Sequence, residues 1–77
     1  MNELLLYLAR ELVANPDAVS VTEVDTAEGV VLELRVADDD VGRVIGRGGR
    51  TARALRTVVR AAAVRDGRRA NVEIVSA

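Results

Sequence analysis

The chain has 77 residues, 49% of them hydrophobic and 30% charged, and a formal net charge of −1. That length makes one domain, 1–77, which buries about 60% of its unfolded surface and needs no staple if its apolar positions are well patterned. Cysteine, histidine and lysine are all absent, which excludes disulfides, thiolate metal sites, the usual general base and most zinc chemistry.

The N-terminal stretch "MNELLLYLARELV" carries three leucines in a row, broken by Arg10 and Glu11. It is too short and too charged for a membrane span or a signal peptide, so a cytoplasmic protein is expected. Leu4, Leu5, Leu8, Leu12 and Val13 recur at the spacing of an amphipathic helix, predicted over 2–15. Asn2 is its expected N-cap, and "NPD" (Asn15 to Asp17) its stop. Tyr7, the only aromatic, is expected to pack in the core or on the helix flank. The β-branched run Val19 to Val24 predicts a short strand. "DTAEG" (Asp25 to Gly29) reads as a turn, and Val30, Leu32, Leu34 and Val36 alternate with Val31, Glu33 and Arg35 as a half-buried second strand. The two strands make a hairpin.

Asp38, Asp39 and Asp40 follow. Three adjacent carboxylates suggest a metal site only weakly. A helix cap fits better, because Asp at an N-cap accepts free backbone N–H groups and complements the helix dipole. The helix they introduce runs from Val41 to Ile45 and is ended by Gly46. A longer one starts near Gly49 or Arg50 and runs to about Arg65. "RDGRR" (Arg65 to Arg69) is a loop, and Asn71 to Val75 a last strand. The predicted order is α-β-β-α-α-β, an α+β domain with no catalytic or metal centre and no cofactor.

Charge divides sharply along this order. Residues 1–40 hold ten acids against Arg10 and Arg35, whereas residues 41–70 hold nine arginines against Asp66 alone. A G+C-rich genome explains arginine over lysine, but not the clustering. Clustered basic charge on an otherwise acidic domain is a local footprint for a polyanion. On the long helix, Ala52, Leu55, Val59, Ala62 and Ala63 form a core stripe at 100° per residue, with Arg53, Arg56 and Arg60 beside it. A solvated face is the ordinary account of such a stripe. Here no acid stands anywhere between Val41 and Arg65, and unpaired like charges repel along a helix, which favours an anionic partner.

The glycines sharpen this. "GRGG" (Gly46 to Gly49) joins two helices and does not follow a strand. The P-loop spacing occurs nowhere, and Thr51 stands where a dinucleotide fold needs its third glycine. A plain helix-joining turn is the simplest account of a bare GxxG. With "VIGRGG" between two helices, the glycines let a phosphodiester backbone approach the main chain, and the second helix aims its first N–H groups at the loop.

Those residues, with "LVANPDAVSVTEV", "LELRVADDDVGRVIGRGGRTARALRTVVRAAA" and the closing "VEIVS", resemble the KhpA family of small stand-alone bacterial KH proteins over almost the whole chain. The resemblance implies a type II KH domain: a three-stranded mixed sheet covered on one face by three helices, with the KH core at about 29–77. It implies single-stranded RNA gripped by Gly46, Arg47, Gly48 and Gly49, beside a groove for about four nucleotides. Arg43, Val44, Ile45, Arg50, Arg53 and Arg56 complete the expected RNA-binding set, Val44 and Ile45 as apolar floor. Ala52 stands where KH domains often carry a larger aliphatic, implying a shallower or wider groove. The family is described as a probable RNA chaperone, acting with a larger KH-containing protein, KhpB, in cell shape and cell-wall homeostasis. The scarcity of aromatics agrees, since RRM and OB modules hold bases by stacking.

Ala54, Val58 and Ala61 line a third face of the long helix. Small residues there allow close approach of a second copy or a KhpB-like partner, although alanine is also simply a good helix former. Two other function classes stand beside RNA binding. A KH-like protein–protein module would use such a face, and an enzyme would have to work with carboxylates alone.

Overall fold

Val30, Leu32, Leu34 and Val36 are buried while the residues between them are half-buried or exposed, so the period-two pattern does mark a strand. The computed structural model describes Met1 to Ala77 throughout. In chain order it contains α1 (Asn2–Leu12), β1 (Ser20–Thr26), β2 (Gly29–Val36), α2 (Val41–Ile45), α3 (Arg50–Arg65) and β3 (Ala70–Ser76). β2 lies at the centre of the sheet, antiparallel to β1 from Ser20↔Arg35 to Thr26↔Gly29 and parallel to β3 from Val30↔Ala70 to Val36↔Ser76. A parallel neighbour needs a crossover, and α2 and α3 supply it. The inward residues of β2 join Val72, Leu5, Ala9, Val44, Leu55 and Val59 in one core cluster. Each fully buried Leu or Val contributes about 1.5–3 kcal/mol. The mixed sheet, the three helices and the order α-β-β-α-α-β are as expected.

Four local expectations need correcting. α1 starts from Met1, whose carbonyl accepts the Leu5 N–H at 3.1 Å. Asn2 is therefore inside the helix, with a buried Oδ1 that has no partner, and does not cap it. The helix ends at Leu12, not at residue 15, because the N–H groups of Ala14 and Asn15 are drawn away to Asp40. The buried face of α1 centres on Leu5 and Ala9, which turns Tyr7 outward, 63% exposed. The β1–β2 turn shrinks to Ala27 and Glu28: Thr26 Oγ1 accepts the Glu28 N–H and donates to the Gly29 carbonyl, keeping Asp25 and Thr26 in the ladder.

Candidate nucleic-acid interface

Asp38 to Asp40 form a 3₁₀ turn leading into α2, and no side chain of theirs caps that helix. Asp38 and Asp39 stay exposed. Asp40 is fully buried and reaches backward along the chain. Its carboxylate accepts the backbone N–H of Ala14, the backbone N–H of Asn15 and the Asn15 Nδ2 amide, each at 3.0 Å. Arg43 Nε lies 3.2 Å from Asp40 Oδ1. The Ala14 amide, the two Asn15 donors and the Arg43 charge together outweigh burial and hold the Asp40 pKa below its ordinary value. The predicted cap is thus a brace. Its acceptors are taken by donors from a distant segment, so none remains for the start of α2.

The loop after α2 bends through three left-handed glycines, Gly46 (φ 75°), Gly48 (φ 63°) and Gly49 (φ 78°). Gly46 is the tight one, since a Cβ there would collide with the Thr51 side chain and backbone. A Cβ on Gly48 would meet nothing within 4 Å. The loop is closed on the protein side at Gly46 and open to solvent at Arg47 and Gly48. α3 then begins at Arg50 behind Gly49 with no side chain capping it, which leaves N–H groups of its first turn able to receive an anion.

The arginines around this loop have no acid partners. Arg47, Arg50, Arg53, Arg56, Arg60 and Arg65 take part in none of the four ion pairs of the molecule, which use Arg35, Arg43 and Arg68. Arg47, Arg50 and Arg53 are exposed, and Arg53 lies against the back of Gly49. Arg56 and Arg60 turn instead toward the outer edge of β3. Arg56 Nε donates to the Val72 carbonyl, and Arg60 donates to Asn71 Oδ1, each at 3.2 Å. The stripe expected on α3 is therefore two groups, one at the loop and one tied to the strand edge.

Of the two residues expected to floor a groove, Val44 has no exposed surface and belongs to the core. Only Ile45, 39% exposed, offers an apolar contact. Ala52 is likewise buried, on the core face of α3. Ala54 and Val58 line an apolar groove with Leu8, Leu12 and Leu55, while Ala61 is exposed outside it. Thr51 was read only as the residue that breaks a dinucleotide motif and Asn71 only as the start of a strand; that Thr51 packs under Gly46 and Asn71 receives Arg60 shows only in the folded chain.

The sequence profile of the KhpA/KhpB KH domain matches residues 2–74. Among similar bacterial proteins, one from Caldanaerobacter subterraneus subsp. tengcongensis is 48% identical over 97% of this chain and 100% of its own length. One from Clostridium acetobutylicum is 49% identical over the same shares. One from Streptomyces coelicolor is 51% identical over 97% of this chain and 91% of its own. Each of these relatives is named RNA-binding protein KhpA.

Proposed function

The chain belongs to the KhpA/KhpB family of KH domains, and from that premise we propose that it binds single-stranded RNA without catalysis. The strand's phosphates sit on the Gly46–Gly49 loop and the start of α3, and Arg43, Arg47, Arg50, Arg53 and Arg56 supply charge. One observation carries this: a glycine loop closed underneath by Thr51 and open above adjoins an uncapped helix start and three exposed arginines without acid partners. Such a surface attracts phosphates from outside the molecule, because nothing inside it neutralises them. Bases would be held by Ile45 and by hydrogen bonds, without aromatic stacking.

Family membership extends the proposal to an RNA chaperone and post-transcriptional regulator, cytoplasmic, linked to cell shape and cell-wall homeostasis. It also extends it to a larger KhpB-like partner. No helix is long and apolar enough to cross a membrane. A second reading, a protein-interaction module, is favoured by the apolar groove between α1 and α3, which suits a homodimer or a heterodimer.

The test replaces both inner loop residues, Arg47→Asp with Gly48→Asp. Both positions are exposed, and the left-handed φ of Gly48 costs an Asp there about 1 kcal/mol, so the double variant should stay folded with a somewhat lower melting point while its binding to single-stranded RNA is abolished by carboxylates facing phosphates. A folded double variant with wild-type affinity would falsify the loop mechanism.

A further inference from the structure

Asp40 is the only charged residue in the core of this protein, and its partners come from two directions. The Ala14 and Asn15 donors fix the segment that follows α1. On the other side its Oδ1 lies 3.2 Å from Arg43 Nε, and the Arg43 side chain is 61% exposed. A guanidinium carries five N–H donors, so one that meets a carboxylate at Nε has four more on its terminal nitrogens to offer a second acceptor. Arg43 is three residues before Gly46, one helical turn from the loop.

We propose, building on the RNA-binding reading above, that Asp40 is a positioning residue: it presents the Arg43 fork to the phosphates of a strand on the Gly46–Gly49 loop. Because the same carboxylate grips Ala14 and Asn15, the posture of Arg43 is tied to the seating of α1. An arginine already oriented loses less side-chain freedom when it meets a phosphate, so its contact is stronger than that of a free surface arginine.

The experiment is a double-mutant cycle on RNA affinity, using a labelled single-stranded RNA of random sequence, the full chain, and variants checked for folding by circular dichroism. Arg43→Ala should weaken binding about tenfold, and Asp40→Asn by several-fold. The double variant should bind like Arg43→Ala alone, since without Arg43 there is nothing left to position. Both single variants should also lower the salt slope of log K by about 0.7, the loss of one phosphate contact on a single strand. A merely structural loss leaves that slope in place. Should Asp40→Asn fail to fold, Arg43→Lys decides. It keeps the charge and leaves the Ala14 and Asn15 bonds intact, but replaces the planar five-donor fork with one ammonium on a flexible stem that the carboxylate no longer orients, so affinity should fall clearly below wild type. Additive effects in the cycle, or wild-type binding by Arg43→Lys, would overturn the positioning role while leaving RNA binding standing. A wild-type chain that binds no RNA would overturn both.

Discussion

A single carboxylate decides where the first helix stops. The N–H groups of Ala14 and Asn15 could have continued α1; Asp40 takes them, and Val13 is extended instead. The Asp40 pKa is held below 3.8, first by the Ala14 amide. A depressed carboxylate contributes stability that is fully present above its unfolded value and is lost as the pH falls through the folded one. Thermal melts of the wild type should therefore be insensitive to Asp40 from pH 7 to about 5, and then fall more steeply below about pH 4 than those of Asp40→Asn. Acid limbs of identical shape would show that Asp40 is not the group responsible. The importance of "DDD" was legible in the sequence, but its role was not. A cap is judged from the next turn of chain, whereas the partners of Asp40 lie 25 and 26 residues away. The same holds for Gly46 and Gly48: spacing identified both, and only the packing of Thr51 tells which one has no room for a side chain.

At the level of elements, α3 was the easiest to read. Its bounds, Arg50 to Arg65, and its buried residues Ala52, Leu55, Val59 and Ala63 follow from a 3.6-residue period. The helical wheel also gathered Arg53, Arg56 and Arg60, but it holds no information about the strand beside them. β3 gives Arg56 and Arg60 partners and leaves Arg53 free. The consequences of truncation should divide accordingly. Arg50→Ala and Arg53→Ala should weaken RNA binding alike across sequences without changing stability. Arg56→Ala should in addition cost about 1 kcal/mol of stability through its lost bond to Val72. With roughly four phosphates engaged, log K against log salt should slope at about −3 for the wild type. A flat salt dependence would favour the protein-interaction reading.

On the scale of the molecule, acids crowd the first forty residues and arginines the next thirty, and ion pairs join the two halves at two places, Asp40 with Arg43 and β1 with Arg68. Arg68, in the loop after α3, lies 3.9 Å from Glu23 and 3.6 Å from Asp25 on β1. Those pairs are exposed and worth little each; they tie the loop after α3 to β1. On another side, Leu8, Leu12, Ala54, Leu55 and Val58 line a groove of about 260 Å³. Sequence spacing had grouped Ala54, Val58 and Ala61; the contribution of α1 could not be seen from one helix. If the groove is where copies meet, sedimentation at tens of micromolar should detect a dimer that Val58→Glu disperses. Ala61→Glu, outside the groove, should disturb it less. A dimer unchanged by Val58→Glu would move the contact elsewhere, and a wild type that stays monomeric alone and with the KhpB-like protein proposed as its partner would end the idea.

The parallel pairing of β2 with β3 also sets the order in which the domain can be made. β1 and β2 are joined by a two-residue turn and can pair within microseconds of being synthesised. β3 is the last element of the chain and must close across residues 37–69 before it gains a single ladder bond. Until it does, Val72 is missing from the core and Arg56 has no carbonyl to hold. The glycine loop lies inside that unclosed span. A nascent chain still lacking its final strand therefore carries the arginines on loose tether, attracted to any nucleic acid nearby and shaped for none. A chain cut before Val72 should accordingly retain helix by circular dichroism and show no cooperative melt.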